Sequence, residues 1–197
     1  MPRPSPTTVP APDPAEPLVR LARFLRQADT AVSSWERYTI EHTDLDGWPF
    51  DQDVYDAREA EKDRALWRAF APVRDAAADL LNAAGTAVAE RAWKTGQSRW
   101  TWQLDHLREA LDRITAAQDT FLQFLTDEPH ATEEAVQAAA AARHARASEA
   151  LSDWLHHGRS VLEVHAATVR AGQPGIRLAA SVPRAATPAP AGPARRR

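Results

Sequence analysis

The chain has no cysteine, which excludes disulfides, thiolate metal sites and cysteine nucleophiles and is compatible with a reducing compartment. Lysine is nearly absent: Lys62 and Lys94 are the only two, and arginine carries the remaining positive charge. An Ala- and Arg-rich, Lys-poor composition is the signature of a GC-rich genome, so the source is expected to be bacterial and part of the composition reflects codon pressure. No window approaches 18 uncharged apolar residues, so no membrane-spanning helix is expected. Met1–Pro10 holds one arginine and no apolar run, so no secretion signal is read there and the cytoplasm is the expected compartment. There is no glycine-rich phosphate loop, helix-turn-helix, zinc finger or G-x-S-x-G turn. β-branched alternation is also missing, so essentially no sheet is expected.

What is present is helical periodicity. Trp100, Leu104, Leu107, Leu111, Ile114, Ala117, Phe121 and Phe124 recur every three or four residues, a spacing that falls on one side only in an α-helix. Similar stripes predict a first helix over about 15–41 (Leu18, Leu21, Leu25, Ala28, Val32, Trp35, Thr39) and a second over about 52–94. The second contains Pro72, which removes an intrahelical bond and predicts a bend or break near Ala71; Val73, Ala77, Leu80, Ala84 and Val88 resume the stripe beyond it. Gly85 in that run marks a close helix crossing. Gly96 as C-cap and Ser98 as N-cap make a short turn between the second and third helices, hence an antiparallel hairpin. Thr132 caps a fourth helix running to about 171, with Ala140, His144, Ala147, Leu151, Trp154, Gly158, Val161, His165 and Thr168 facing inward.

The expected fold is therefore all-α: an antiparallel four-helix bundle-like domain over 15–172, its second helix kinked at Pro72. It is flanked by a disordered Pro-rich arm (1–14) and a disordered Pro/Ala/Arg-rich tail (173–197). Helices two and four are longer than one and three, and their overhangs need something to pack on. Charge is polarised along the chain. Segment 36–63 carries ten acids against three cations, net −7, whereas 171–197 carries five arginines and no acid, net +5. The body 15–170 has 18 cations against 26 acids, net −8, and repels nucleic-acid phosphate.

Four groups of residues are candidates for function. The loop Thr43–Asp53 contains Asp44-Leu45-Asp46-Gly47, similar to part of an EF-hand calcium loop. His42 and Asp53, however, occupy the places of its first Asp and its bidentate Glu. The plainer reading is an acidic inter-helix loop pinned by Trp48 and Phe50, with Asp51 or Asp53 capping the next helix; the two aromatics also make a docking surface. Among seven histidines, His42, His106 and His157 would form a three-histidine bundle site if three helices converged, and Asp153-x-x-His156 is a near match to the Glu-x-x-His pair of di-metal bundles. His157 and His165 lie eight residues apart, about 12 Å along a helix, too far to share one ion. An inward-facing His144 or His165 held neutral would make stability fall in acid. Trp93 and Trp102 flank the Gly96 turn off the stripes and form a candidate aromatic patch, and Arg195, Arg196 and Arg197 form a weak anion-binding terminus that could instead fold onto the acidic 36–63 face.

The leading expectation is a non-catalytic helical interaction module with a protein partner or a second copy of itself. No cofactor is implied and no catalytic residue stands out. The alternatives are a small metal-dependent bundle enzyme drawing on Asp44, Asp46, His42, His106, Asp153, His156 and His157, and a nucleic-acid accessory protein acting through the basic tail.

Overall fold

The computed structural model of the chain describes residues 15–90 and 97–172. The expectations for the proline-rich arm, for the Gly96 turn with Trp93, and for the basic tail with Arg195, Arg196 and Arg197 lie outside those residues. The described chain forms α1 (Ala15–His42), α2 (Gln52–Ala89), α3 (Gln97–Asp127), α4 (Glu133–His157) and α5 (Arg159–Gly172). Among the described residues there is no strand, only an isolated bridge between Thr43 and Pro49. None of these helices is long and apolar enough to cross a membrane.

α4 and α5 are two parts of the one expected helix. Only Gly158 separates them, with φ −61° and ψ −22°, still helical, and the Gly158 amide donates to the Trp154 carbonyl at 2.9 Å. The next bond tightens, Val161 N–H reaching the Gly158 carbonyl three residues back at 3.2 Å. That change of register turns the inward stripe onto Val161 and Val164, and His165, expected inside, is exposed. α2 passes through Pro72 without the break considered from sequence. Pro72 and Arg68 both face solvent, so the Arg68 carbonyl that loses its intrahelical donor is open to water. α3 begins at Gln97, so Ser98 lies in its first turn rather than capping it.

The helices run up and down. Trp35 meets Tyr55 and Phe24 meets Phe70; Gln97 reaches Val88 and Arg108 reaches Leu81; Arg113 reaches Glu149 and Asp153 and Arg143 reaches Gln118, so α1/α2, α2/α3 and α3/α4 are each antiparallel. At the centre Trp154 is fully buried, its ring 5.0 Å from Phe70, which in turn meets Phe24 edge-on at 5.2 Å. Around this aromatic spine pack Leu21, Leu66, Leu81, Leu104, Leu107, Ile114 and Leu151. Side chains of this size each gain about 1.5–3 kcal/mol from burial, which is what makes the stripes stable as helices. Phe24 and Trp67 are buried although the stripe reading omitted them; Phe24 sits three residues after Leu21, a spacing that puts it on the same face.

Two glycines sit at close approaches. A Cβ on Gly158 would lie 3.3 Å from Leu25 Cδ2 and 3.6 Å from Leu21 Cδ1, so α1 crosses α4–α5 here. At Gly85 the neighbour is instead a side chain, the Arg108 guanidinium, which reaches over α2 and donates to the Leu81 carbonyl at 3.3 Å.

Candidate functional site

The α1–α2 connection forms one tip of the bundle, and its backbone is held by local hydrogen bonds. Asp44 Oδ1 accepts from the amides of Asp46 at 3.0 Å and Trp48 at 2.8 Å, and the Asp44 amide donates to the Trp48 carbonyl at 2.8 Å. The Phe50 amide closes the loop on the His42 carbonyl at 3.0 Å. Gly47 adopts φ +85°, a turn conformation costly to other residues. Asp51 caps α2, accepting from the Val54 amide at 3.1 Å. Asp44, one of the two acids that match the calcium-loop spacing, thus spends one carboxylate oxygen on its own loop.

Trp48 and Phe50 do not pin this loop, contrary to expectation. Each is 70% exposed, and Ile40, Leu45 and Val54 around the same tip are exposed as well, so these five side chains form the crown of the tip. The reason is visible in the bonding: with the backbone closed by Asp44 and the Thr43–Pro49 bridge, no aromatic anchor is required. Beneath the crown lies an aromatic collar. Trp35, Tyr38, Tyr55 and His42 stack or meet edge-on at 4.1–6.4 Å, with Lys62 over Trp35 and Arg58 over Tyr38. His42 Nδ1 is hydrogen-bonded to the Tyr38 carbonyl at 3.0 Å, and its ring lies on the Tyr38 ring at 4.1 Å.

A second cluster crosses from α3 to α4. Trp102 stacks on His106 at 5.5 Å, and His157 meets both rings nearly at right angles, at 5.1 and 5.2 Å. His106 Nε2 is 3.3 Å from Asp153, whose other oxygen is taken by Arg113; Arg113 also reaches Glu149. Burial holds the His157 pKa below the ordinary imidazole value, and the neighbouring His106 and His156 push the same way against Asp153. His156 is exposed, its Nδ1 bonded to the Ser152 carbonyl at 2.7 Å. Here the structure brings His106, His157 and Asp153 together but leaves His42 with the α1–α2 collar. Among the described residues no group of three or more His, Asp or Glu is arranged to hold a metal ion. Asp153 meets Arg113 through one oxygen and the His106 ring through the other, so neither of its oxygens is free to act as a base.

No protein-family model, curated protein or solved structure matches this chain. Function must therefore be argued from its own side chains. One buried carboxylate escaped the sequence reading. Asp63 is 6% exposed in the α2–α4 interface, accepting from the Ser148 hydroxyl at 2.5 Å with Lys62 Nζ at 3.3 Å. Asp63 sits inside an acidic run, and nothing in sequence distinguishes the one acid that turns inward. Both its partners are structural, so it reads as a paired interior group rather than a reactive one. Trp102, expected off its stripe, is exposed, and Trp100 Nε1 donates to Glu163 at 3.2 Å.

Proposed function

We propose that this protein is a non-catalytic helical interaction module, and that its partner is another protein docking on the α1–α2 tip. The observation that carries this reading is the crown itself: Ile40, Leu45, Trp48, Phe50 and Val54 stand in water on a backbone already fixed by Asp44. Several large apolar side chains exposed together on one tip are uncommon on a protein that works alone, and aromatic anchors supply much of an interface's affinity. A pre-organised loop loses little conformational entropy on docking. The surrounding acids, Glu36, Glu41, Asp46, Asp53 and Asp56 among them, favour a partner with an apolar cleft and a basic rim. Among the described residues, Asp63 and Asp153 are each committed to structural partners, so neither competes with this reading as a reactive group.

The test is site-specific photo-cross-linking in the source cell from a probe at position 45, with a control probe at the exposed Thr101 on α3. A discrete adduct from position 45 that weakens with salt and disappears in a Trp48→Ala/Phe50→Ala background is the expected result. Equal adducts from both positions, or an adduct indifferent to the double substitution, would refute the docking role.

A further inference from the structure

The first half of α4 carries an unbroken alanine run over 138–142, and beside it on α2 stand two arginines one turn apart, Arg64 and Arg68. Between them runs an open groove of about 350 Å³ lined by Arg64, Arg68, Gln137, Ala140, Ala141 and His144. Neither arginine takes part in an ion pair or hydrogen bond among the described residues, although the body as a whole carries an excess of acid. Two unpaired guanidiniums one turn apart along a helix offer N–H donors of the kind that binds a tetrahedral oxyanion.

The remaining groups around the groove reinforce that polarity. On α4, the Arg143 guanidinium is clamped over Trp67 at 4.5 Å and Phe121 at 4.2 Å, and donates to Gln118 on α3 and to His144 Nε2 at 3.0 Å. With Nε2 accepting, the neutral ring carries its proton on Nδ1, which has no partner among the described residues and is a free donor. Burial comes first in lowering the His144 pKa, and Arg143, Arg64 and Arg68 lower it further against Asp63 alone. Asp63 is turned into the α2–α4 interface onto Ser148, Gln137 is held by Glu133, and Arg74 pairs with Asp75. Asp56 and Glu59 line the next stretch of the same cleft. The alanines keep the helices free of bulk where a ligand would enter.

We infer that the α2–α4 groove is a binding site for a small phosphate-bearing anion, gripped by Arg64 and Arg68 with the His144 Nδ1–H as third donor. A small ligand is favoured over nucleic acid because Asp56 and Glu59 adjoin the groove and the body carries net −8, both of which repel a polyanion. This assignment is independent of the α1–α2 tip.

The test is titration of the protein with inorganic phosphate against chloride at matched ionic strength, read by the His144 imidazole resonances. A saturable shift at millimolar phosphate is expected, with the His144 pKa rising as the bound charge offsets the arginines. Arg64→Gln and Arg68→Gln each weaken binding about tenfold, while Arg23→Gln, at an exposed position on α1, leaves it unchanged; all three keep the wild-type melting temperature. A shift that grows linearly with phosphate, or persists in Arg64→Gln and Arg68→Gln, would overturn the site. Displacement of phosphate by a DNA duplex would overturn the small-anion assignment.

Discussion

Gly158→Ala sets two physical effects against each other, and the structure says which wins. Gly158 has helical backbone angles, so alanine meets no dihedral penalty there. On propensity alone the substitution would stabilise by about 1 kcal/mol. But the new Cβ would lie 2.5 Å from the Trp154 carbonyl oxygen, a backbone atom that cannot rotate aside, and 3.3 Å from Leu25 Cδ2. Relief of the first contact requires the α4–α5 junction itself to deform, and the second presses on α1 beside the fully buried Leu21. Overpacking of this kind costs about 1–3 kcal/mol, which for a domain of this size lowers the melting temperature by about 2–12 °C. Gly85→Ala is the control. Its Cβ meets only the Arg108 guanidinium, which can swing into solvent; losing one hydrogen bond worth about 1 kcal/mol roughly cancels the propensity gain. Thermal unfolding followed by circular dichroism at 222 nm reads both. A melting temperature that rises in Gly158→Ala would show that the close contacts at this glycine, with the Trp154 carbonyl and with α1, do not hold, and the packing described here would be wrong.

Other expectations follow from the buried and half-buried polar groups. Ser148→Ala removes a donor from the interior carboxylate of Asp63 and is expected to cost about 1–3 kcal/mol in urea unfolding, whereas a loss below 0.5 kcal/mol, roughly the level of a surface change, would show that Asp63 is not dependent on it. His144 and His157, both held below the ordinary imidazole pKa of 6.5, bind fewer protons folded than unfolded. Their contribution is complete above about pH 6.5 and is lost as pH falls through that value toward their folded pKa values. Stability measured between pH 7.5 and 5.5 should therefore fall with acid, and His144→Gln with His157→Gln should flatten the slope; an unchanged slope would contradict the assignment.

The fold was legible where periodicity carries the physics. The α2 stripe from Val73 to Val88 is buried as spaced, and so is the α3 stripe from Trp100 to Ala117 but for the half-buried Leu111, because an amphipathic helix has one way to shelter its apolar side. Periodicity failed where a single residue shifts the register. The Gly158 hitch moved the stripe from His165 to Val164, a three-residue step that sequence cannot separate from a four-residue one. The candidate sites were less legible, because they depend on which helices meet. His106 and His157 sit 51 residues apart in sequence and meet only because the α3–α4 hairpin aligns them. His42, grouped with them on residue type alone, belongs to the α1–α2 collar. Trp48 and Phe50 read from sequence either as anchors of their loop or as a docking surface; the anchoring reading fails because Asp44 fixes the backbone without them and both rings stay exposed.

The central claim is that the crown on the α1–α2 tip serves a partner and contributes nothing to the fold. Denaturant unfolding of Trp48→Ala/Phe50→Ala tests it most directly. The account predicts an unfolding free energy within about 0.5 kcal/mol of wild type, as expected for side chains that bury little surface. A loss of about 2 kcal/mol or more would mean that these aromatics pack against the bundle in solution, and the docking surface would not exist.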